Sequence, residues 1–180
     1  ADARWDWNKK YPVLRLSFGG GVTDSRAKLH DYLDGQLLRF EQAWALAQQT
    51  LSVNRRFLNL IEHLHRQTGQ RVVVLVDDYD KPILDCIDDS ATAVQVREVL
   101  KDLYSVIKDS DAHIRFAFLT GVSKFSKVSL FSGLNNLQVY SLLREAYATC
   151  FGFTEGEVDR LCADAELDAG EYRARVIAGR

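Results

Sequence analysis

Apolar and polar positions mix over Pro12 to Phe18 (PVLRLSF), and the run stops at Gly19-Gly20-Gly21, which predicts a strand ended by a flexible break. From there the period lengthens. Leu29, Leu33, Leu37, Phe40, Trp44, Ala47 and Leu51 recur at steps of three and four, the single apolar stripe of a helix. Val53, Phe57, Ile61 and Leu64 outline a second helix, with Gly69 where a C-terminal stop belongs. Val72 to Val76 (VVVLV) has no polar face at all, and so predicts a central strand buried on both sides in a parallel sheet. Another helix carries Val96, Leu100, Leu103 and Ile107, capped by Ser90 or Thr92. Ile114 to Leu119 (IRFAFL) returns as a third strand. Strands alternating with helices predict an α/β fold, a parallel sheet flanked by helices.

The pattern changes after Thr120. Residues 120–137 (TGVSKFSKVSLFSGLNNL) are rich in Ser, Gly and Asn and carry Lys124 and Lys127. A loop of that length inside a compact domain is uncommon and is often functional. Thr154 and Glu157 have capping-box spacing, which predicts a helix from about Glu155. There is no internal repeat and no obvious interdomain linker.

Composition narrows the class. With 180 residues, 47% hydrophobic and 27% charged, the chain is long enough for one domain with a real core, and disordered or collagen-like classes are excluded. No apolar run approaches the roughly 20 residues that span a bilayer. The net charge of −2 argues against a dedicated nucleic-acid binder, though not against a local basic patch. Cys86, Cys150 and Cys162 form no CxxC pair and leave one unpaired in any disulfide scheme, so a reduced, cytoplasmic compartment is expected. The N-terminus has no signal-peptide core, and the sequence contains no Met, which is expected of a piece of a longer protein.

The candidate chemistry lies where the buried strand ends. In open α/β sheets ligands bind beyond the carboxyl ends of the strands, and VVVLV delivers Asp77 and Asp78 there, followed by Tyr79, Asp80 and Lys81. Four hydrophobic residues and an acidic pair match a Walker B element: a buried strand fixes a carboxylate that holds Mg²⁺, usually through water, and the second acid polarises the attacking water. A solvated acidic turn has the same string. The third strand ends in Thr120-Gly121 at the same edge, where a polar residue is placed to sense a γ-phosphate, or is an ordinary strand-terminal Thr.

Taken together, WDWNKKYPVLRLSF (5–18), VVVLVDDYDKPILD (72–85), IRFAFLTGVSKFSKVSLFSGLNNL (114–137) and FGFTEGEV (151–158) resemble the bacterial AAA-ATPase-like family, often fused to a PD-(D/E)XK nuclease-like domain. The stretch TGVSKFSKVSLFSGLNNL is far more specific than any Walker B. The resemblance implies a P-loop NTPase fold of the additional-strand (AAA) type that binds ATP and Mg²⁺, in which residues 1–150 are a partial core and 151–180 open a short helical segment. By the same analogy Asp77 is the magnesium acid, and Asp78 occupies the usual catalytic Glu position. Thr120 is the sensor at the end of the fourth strand, and Lys124 is a basic residue within reach of phosphate.

Departures from the family pattern limit the implied chemistry. No segment satisfies GxxxxGK[ST]; Gly19-Gly20-Gly21 continues into Val22-Thr23-Asp24 with no Lys. Without that loop there is no nest of N–H groups for phosphates, so these residues alone are expected to bind ATP weakly or not at all. The first strand of the fold is missing with the loop, which would leave a gap or an exposed edge. Asp78 for Glu retracts the carboxylate by on the order of 1 Å, and a misplacement of that size can cost roughly a hundredfold in rate. Val139 stands where the family often has an acid.

Other clusters carry less. His63 and His65, two apart on a helix, point in different directions, and His30 and His113 are isolated. No Cys/His cluster has zinc spacing. The (D/E)xK element of a metal nuclease fails at Lys81, where Tyr79 takes the acid's place. Trp5, Trp7 and Tyr11 with Lys9 and Lys10 read as aromatic packing before a strand more readily than as a stacking platform for single strands. Asp88-Asp89 reads as helix-start chemistry. The rival function is a non-catalytic interaction module on a degenerate NTPase fold; a weaker third has Lys124 and Lys127 touching nucleic acid. The oligomeric state is not legible.

Overall fold

Three parallel strands form one sheet in the order β1-β2-β3, with β1 at Val13–Ser17, β2 at Val72–Asp77 and β3 at Ile114–Leu119. The computed structural model describes residues 6, 8–47, 50–123, 130, 137–141, 149, 152–165, 168 and 170. The chain divides into two units, 1–135, which holds the sheet, and 136–180. Helices α1 (Arg26–Ala43) and α2 (Val53–Thr68) connect β1 to β2. A short α3 (Lys81–Leu84), α4 (Ser90–Asp109) and a 3-10 turn at Asp111–His113 connect β2 to β3. The α/β reading holds, and the three strands fall where the hydrophobic pattern places them.

Successive right-handed crossovers that step in one direction put their helices on the same face of a sheet. Burial follows that rule. Leu14, Leu16, Val72, Val74 and Val76 are buried, as are Leu33 and Leu37 of α1, Phe57, Ile61 and Leu64 of α2, and Leu100 and Leu103 of α4. The opposite face departs from expectation. Along β2 buried residues alternate with half-buried ones, so Val72–Val76 is central but not enclosed on both sides. In register with Val73 and Leu75 on that face stand Val13, Arg15, Phe116 and Phe118, and the two phenylalanines, stacked at 6.1 Å, are 55% and 47% exposed. An apolar run reports what a strand is able to bury; covering the far face takes elements that these two crossovers do not supply.

Local chemistry sets the helix ends. Ser25 caps α1, its hydroxyl accepting from Lys28 N–H at 3.3 Å. The apolar stripe does not run on to Leu51: α1 stops at Ala43, Ala45 takes a positive φ of 53°, and Leu51 is exposed. Gly69 ends α2 in the left-handed conformation at φ 67°, as its position predicts. The cap of α4 is Asp89, not Ser90 or Thr92: its Oδ1 accepts from the N–H groups of Ala91 and Thr92 at 3.1 and 3.2 Å. Asp89→Ala should therefore lower the thermal midpoint, while Asp88→Ala, one residue away, should leave it in place. In the second unit Thr154 and Glu157 form the expected reciprocal capping box at the start of α5 (Glu155–Asp164).

Two ion pairs that share Arg56 sit between α1 and α2. Arg56 donates to both Glu41 oxygens at 2.9 and 2.8 Å and to Asp34 Oδ1 at 2.6 Å. The Arg56 and Glu41 side chains are only 6% and 3% exposed. Among the described residues no helix is long and apolar enough to cross a membrane.

Candidate functional site

Because the strands are parallel, their carboxyl ends share one edge, and the chain places polar groups there. β2 terminates in Asp77 and β3 runs directly into Thr120. Thr120 N–H donates to Val76 O at 2.8 Å and Tyr79 N–H donates to Thr120 O at 2.9 Å, which locks the two strand ends together. The Thr120 hydroxyl donates to Asp77 Oδ1 at 2.8 Å. From β1, Arg15 sits two residues back from Ser17, the register partner of Asp77, on the same face, and its Nη2 donates to Asp77 Oδ2 at 2.8 Å. The Arg15 bond first, and the Thr120 bond after it, hold the Asp77 carboxyl below the usual aspartate range. Its side chain remains 41% exposed. Asp77 is thus an ionised, solvent-reachable carboxylate at the rim of the sheet, of the oxygen-donor class that hard divalent cations prefer.

Asp78 follows with a φ of 56°, a left-handed conformation that Asp tolerates better than most residues. Its carboxylate lies against Gly19 in the loop after β1, where a side-chain carbon would come within 2.8 Å of Oδ2. The glycine is what allows this approach. So Asp77 and Thr120 are in direct contact, and Asp78 faces the glycine loop on the β1 side of the same rim. Lys124 and Lys127 lie outside the described residues.

The turn after β2 is built by Tyr79 and Asp80, to which the sequence reading assigns no role. Asp80 is 1% exposed, and its carboxylate accepts from the N–H groups of Val122 and Ser123, tying down the start of the loop after β3. The Tyr79 hydroxyl donates to Ser123 O, and the buried Tyr104 hydroxyl donates to Tyr79 O at 3.1 Å. Gly121 passes between these groups: a Cβ there would lie 2.6 Å from both Asp80 Oδ1 and Tyr79 Cε1. Gly121→Ala should cost about 1–3 kcal/mol through overpacking, read as a lower denaturant midpoint, whereas Gly35→Ala, in open space on α1, should not destabilise.

A second tie holds the glycine loop. Lys81 Nζ donates to Gly21 O at 2.6 Å and to both Asp85 oxygens at 2.9 and 2.7 Å. Asp85 also accepts from Thr23 N–H at 3.0 Å. Burial alone would raise the Asp85 carboxyl; the Lys81 and Thr23 bonds outweigh it and hold it below its ordinary range. The spacing of Lys81 and Asp85, four apart, is the sequence signal for this tie. Nothing local announces Arg15 or Asp80, whose partners are 62 and 42–43 residues away. His113, isolated in the sequence, meets His65, their Nδ1 atoms 2.9 Å apart.

Among the described residues no three His, Cys, Asp or Glu side chains converge on a metal position. A cation at Asp77 would draw its remaining ligands from water and a bound phosphate, which is how Mg²⁺ is commonly held.

A family model described as "Predicted AAA-ATPase" matches residues 1–131. The chain belongs to this AAA-ATPase-like family. That match takes in the sheet, the helices on its covered face and the Asp77–Thr120 edge. A protein of Azotobacter chroococcum mcd 1, "Uncharacterized protein in vnfD 5'region", is 51% identical over 173 residues, which is 95% of this chain and 33% of the relative. The chain thus spans about a third of that relative's length. No solved structure matches this AAA-ATPase-like chain.

Proposed function

We propose that this AAA-ATPase-like chain is part of an ATP-hydrolysing P-loop NTPase of the additional-strand type, with the shared carboxyl edge of β2 and β3 as its nucleotide-facing side. The observation that carries the reading is the Asp77–Thr120 contact: an ionised acid at the end of the central strand, bonded at 2.8 Å to a hydroxyl at the end of its neighbour. That is where metal acid and γ-phosphate sensor stand in such enzymes. Asp77 would hold the cation, and Thr120 would exchange its bond to Asp77 for one to the γ-phosphate. Asp78 would orient water and Lys124 would offset developing negative charge. ATP·Mg²⁺, when bound, supplies the phosphoryl group and the metal's charge neutralisation. Asp78, one methylene shorter than Glu and resting against Gly19, supports slow turnover.

The phosphate-binding loop is the part this sequence does not contain. Two features support its arrival from outside these residues: the sheet stops at β3 with its outer edge unpaired among the described residues, and Phe116 and Phe118 stand exposed on the uncovered face. A strand along β3 and a helix over the phenylalanines would satisfy both. The effector that hydrolysis drives, and any nuclease-like domain, belong to the longer protein.

Titrating fluorescent ATP with Mg²⁺ against the complete protein and against residues 1–180 tests this reading. Saturable micromolar binding to the complete protein, and none to the shorter chain, is expected. No binding by the complete protein would overturn it in favour of a partner-docking module. Two observations favour that rival: Arg15 already occupies Asp77, and Asp replaces Glu at position 78.

A further inference from the structure

At the opposite, amino end of the sheet the entries to all three strands converge on a second polar concavity. It has a volume of about 370 Å³ and is lined by Lys9, Tyr11, Gly69, Gln70, Arg71 and Arg115. Three of these six are cations, each from a different strand entry, and none is an acid. Among the described residues none of the three makes an ion pair with a carboxylate, whereas Arg15, Lys28, Arg56 and Lys81 all do. Like-charged groups gathered without counter-charge cost free energy unless an anion joins them.

The backbone is shaped to aim one of these cations. β2 pairs with β3 through Val72↔Ile114 and then Val73↔Phe116, so Arg115 has no partner residue in the ladder and is the extra residue of a bulge. Bulges re-aim side chains and concentrate at sheet rims beside functional sites. On the β1 side Lys9 Nζ sits 5.4 Å from the Tyr11 ring centre. Burial would raise the Tyr11 phenol, but the neighbouring cations Lys9 and Arg115 outweigh it and lower it, in keeping with the positive charge gathered in the pocket.

We propose that this pocket is a phosphate-binding site, separate from the Asp77 edge and at the other end of the strands. The pocket's three positive charges face no acid among its lining residues. A phosphate, with several acceptor oxygens for the forked donors of Arg71 and Arg115 and up to two charges when free, offsets more of them than a single carboxylate would, and a polynucleotide does so with successive phosphates. The phosphate comes either free or as a phosphodiester of a polynucleotide backbone.

The test uses the complete protein, its Arg71→Gln/Arg115→Gln variant, and three probes: pyrophosphate by calorimetry, and labelled dT20 and poly-glutamate by fluorescence anisotropy. Both arginines are exposed, so the variant should melt with the parent. Pyrophosphate binding weakened roughly tenfold or more in the variant identifies a free phosphate ligand. Binding of dT20 lost in the same way, with a salt slope shallower by about 0.7 per removed contact, identifies a phosphodiester. Both results support the site. Parent and variant binding pyrophosphate and dT20 alike, neither probe binding at all, or poly-glutamate alone discriminating between them would overturn it.

Discussion

Asp77→Ala in the complete protein should lower ATP turnover by at least about a hundredfold, the usual cost of deleting a group that stabilises charge in a transition state. The fold should be untouched. Asp77 is paired to Arg15 in an exposed setting, with side chains 41% and 65% accessible, and ion pairs of that kind contribute little to stability. Turnover and melting midpoint measured on one preparation separate a functional from a structural acid. Thr120→Val should also slow turnover, because it removes the hydroxyl that bonds Asp77 at 2.8 Å while keeping the side chain's shape. Unchanged hydrolysis in both variants would remove the assigned roles.

Arg56→Met should cost the fold about 3–5 kcal/mol, a large share of the stability of any domain. The loss comes less from the vanished attraction than from Glu41, which stays 3% exposed with its charge uncompensated. Asp34, half-exposed, turns to water at little cost. Combining Arg56→Met with Glu41→Leu should recover most of the loss, since a buried ion pair replaced by apolar groups of similar volume is often neutral. A single variant within about 1 kcal/mol of the parent in urea would show that the pair is solvated in solution.

Local signals are readable where one period or one cap decides the outcome. The α2 stripe with its Gly69 stop, the Thr154–Glu157 box and the three strands stand where the pattern puts them. The stripe of α1 misleads because α2 begins at Val53, so two apolar periods run almost into one another, although α1 ends at Ala43 and Ala45 takes a positive φ just after it. Asp89, Ser90 and Thr92 are all competent caps by type; the extended backbone at Asp89 selects among them. Whether VVVLV is enclosed depends on what covers the far face, which no property of the strand encodes. The acid at the strand end is visible in the sequence. Its partner Arg15, the Asp80 brace under Gly121 and the Arg56–Glu41 pair join residues distant in sequence and emerge only once the sheet and helices are assembled.

The most direct measurement is Mn²⁺ affinity of the complete protein at saturating ATP, read by electron paramagnetic resonance, for the parent and Asp77→Asn. Loss of one charge-assisted contact predicts weakening by roughly 10–100-fold. Equal affinities would contradict the account, because the acid that ends the central strand would then have no hold on the nucleotide's metal.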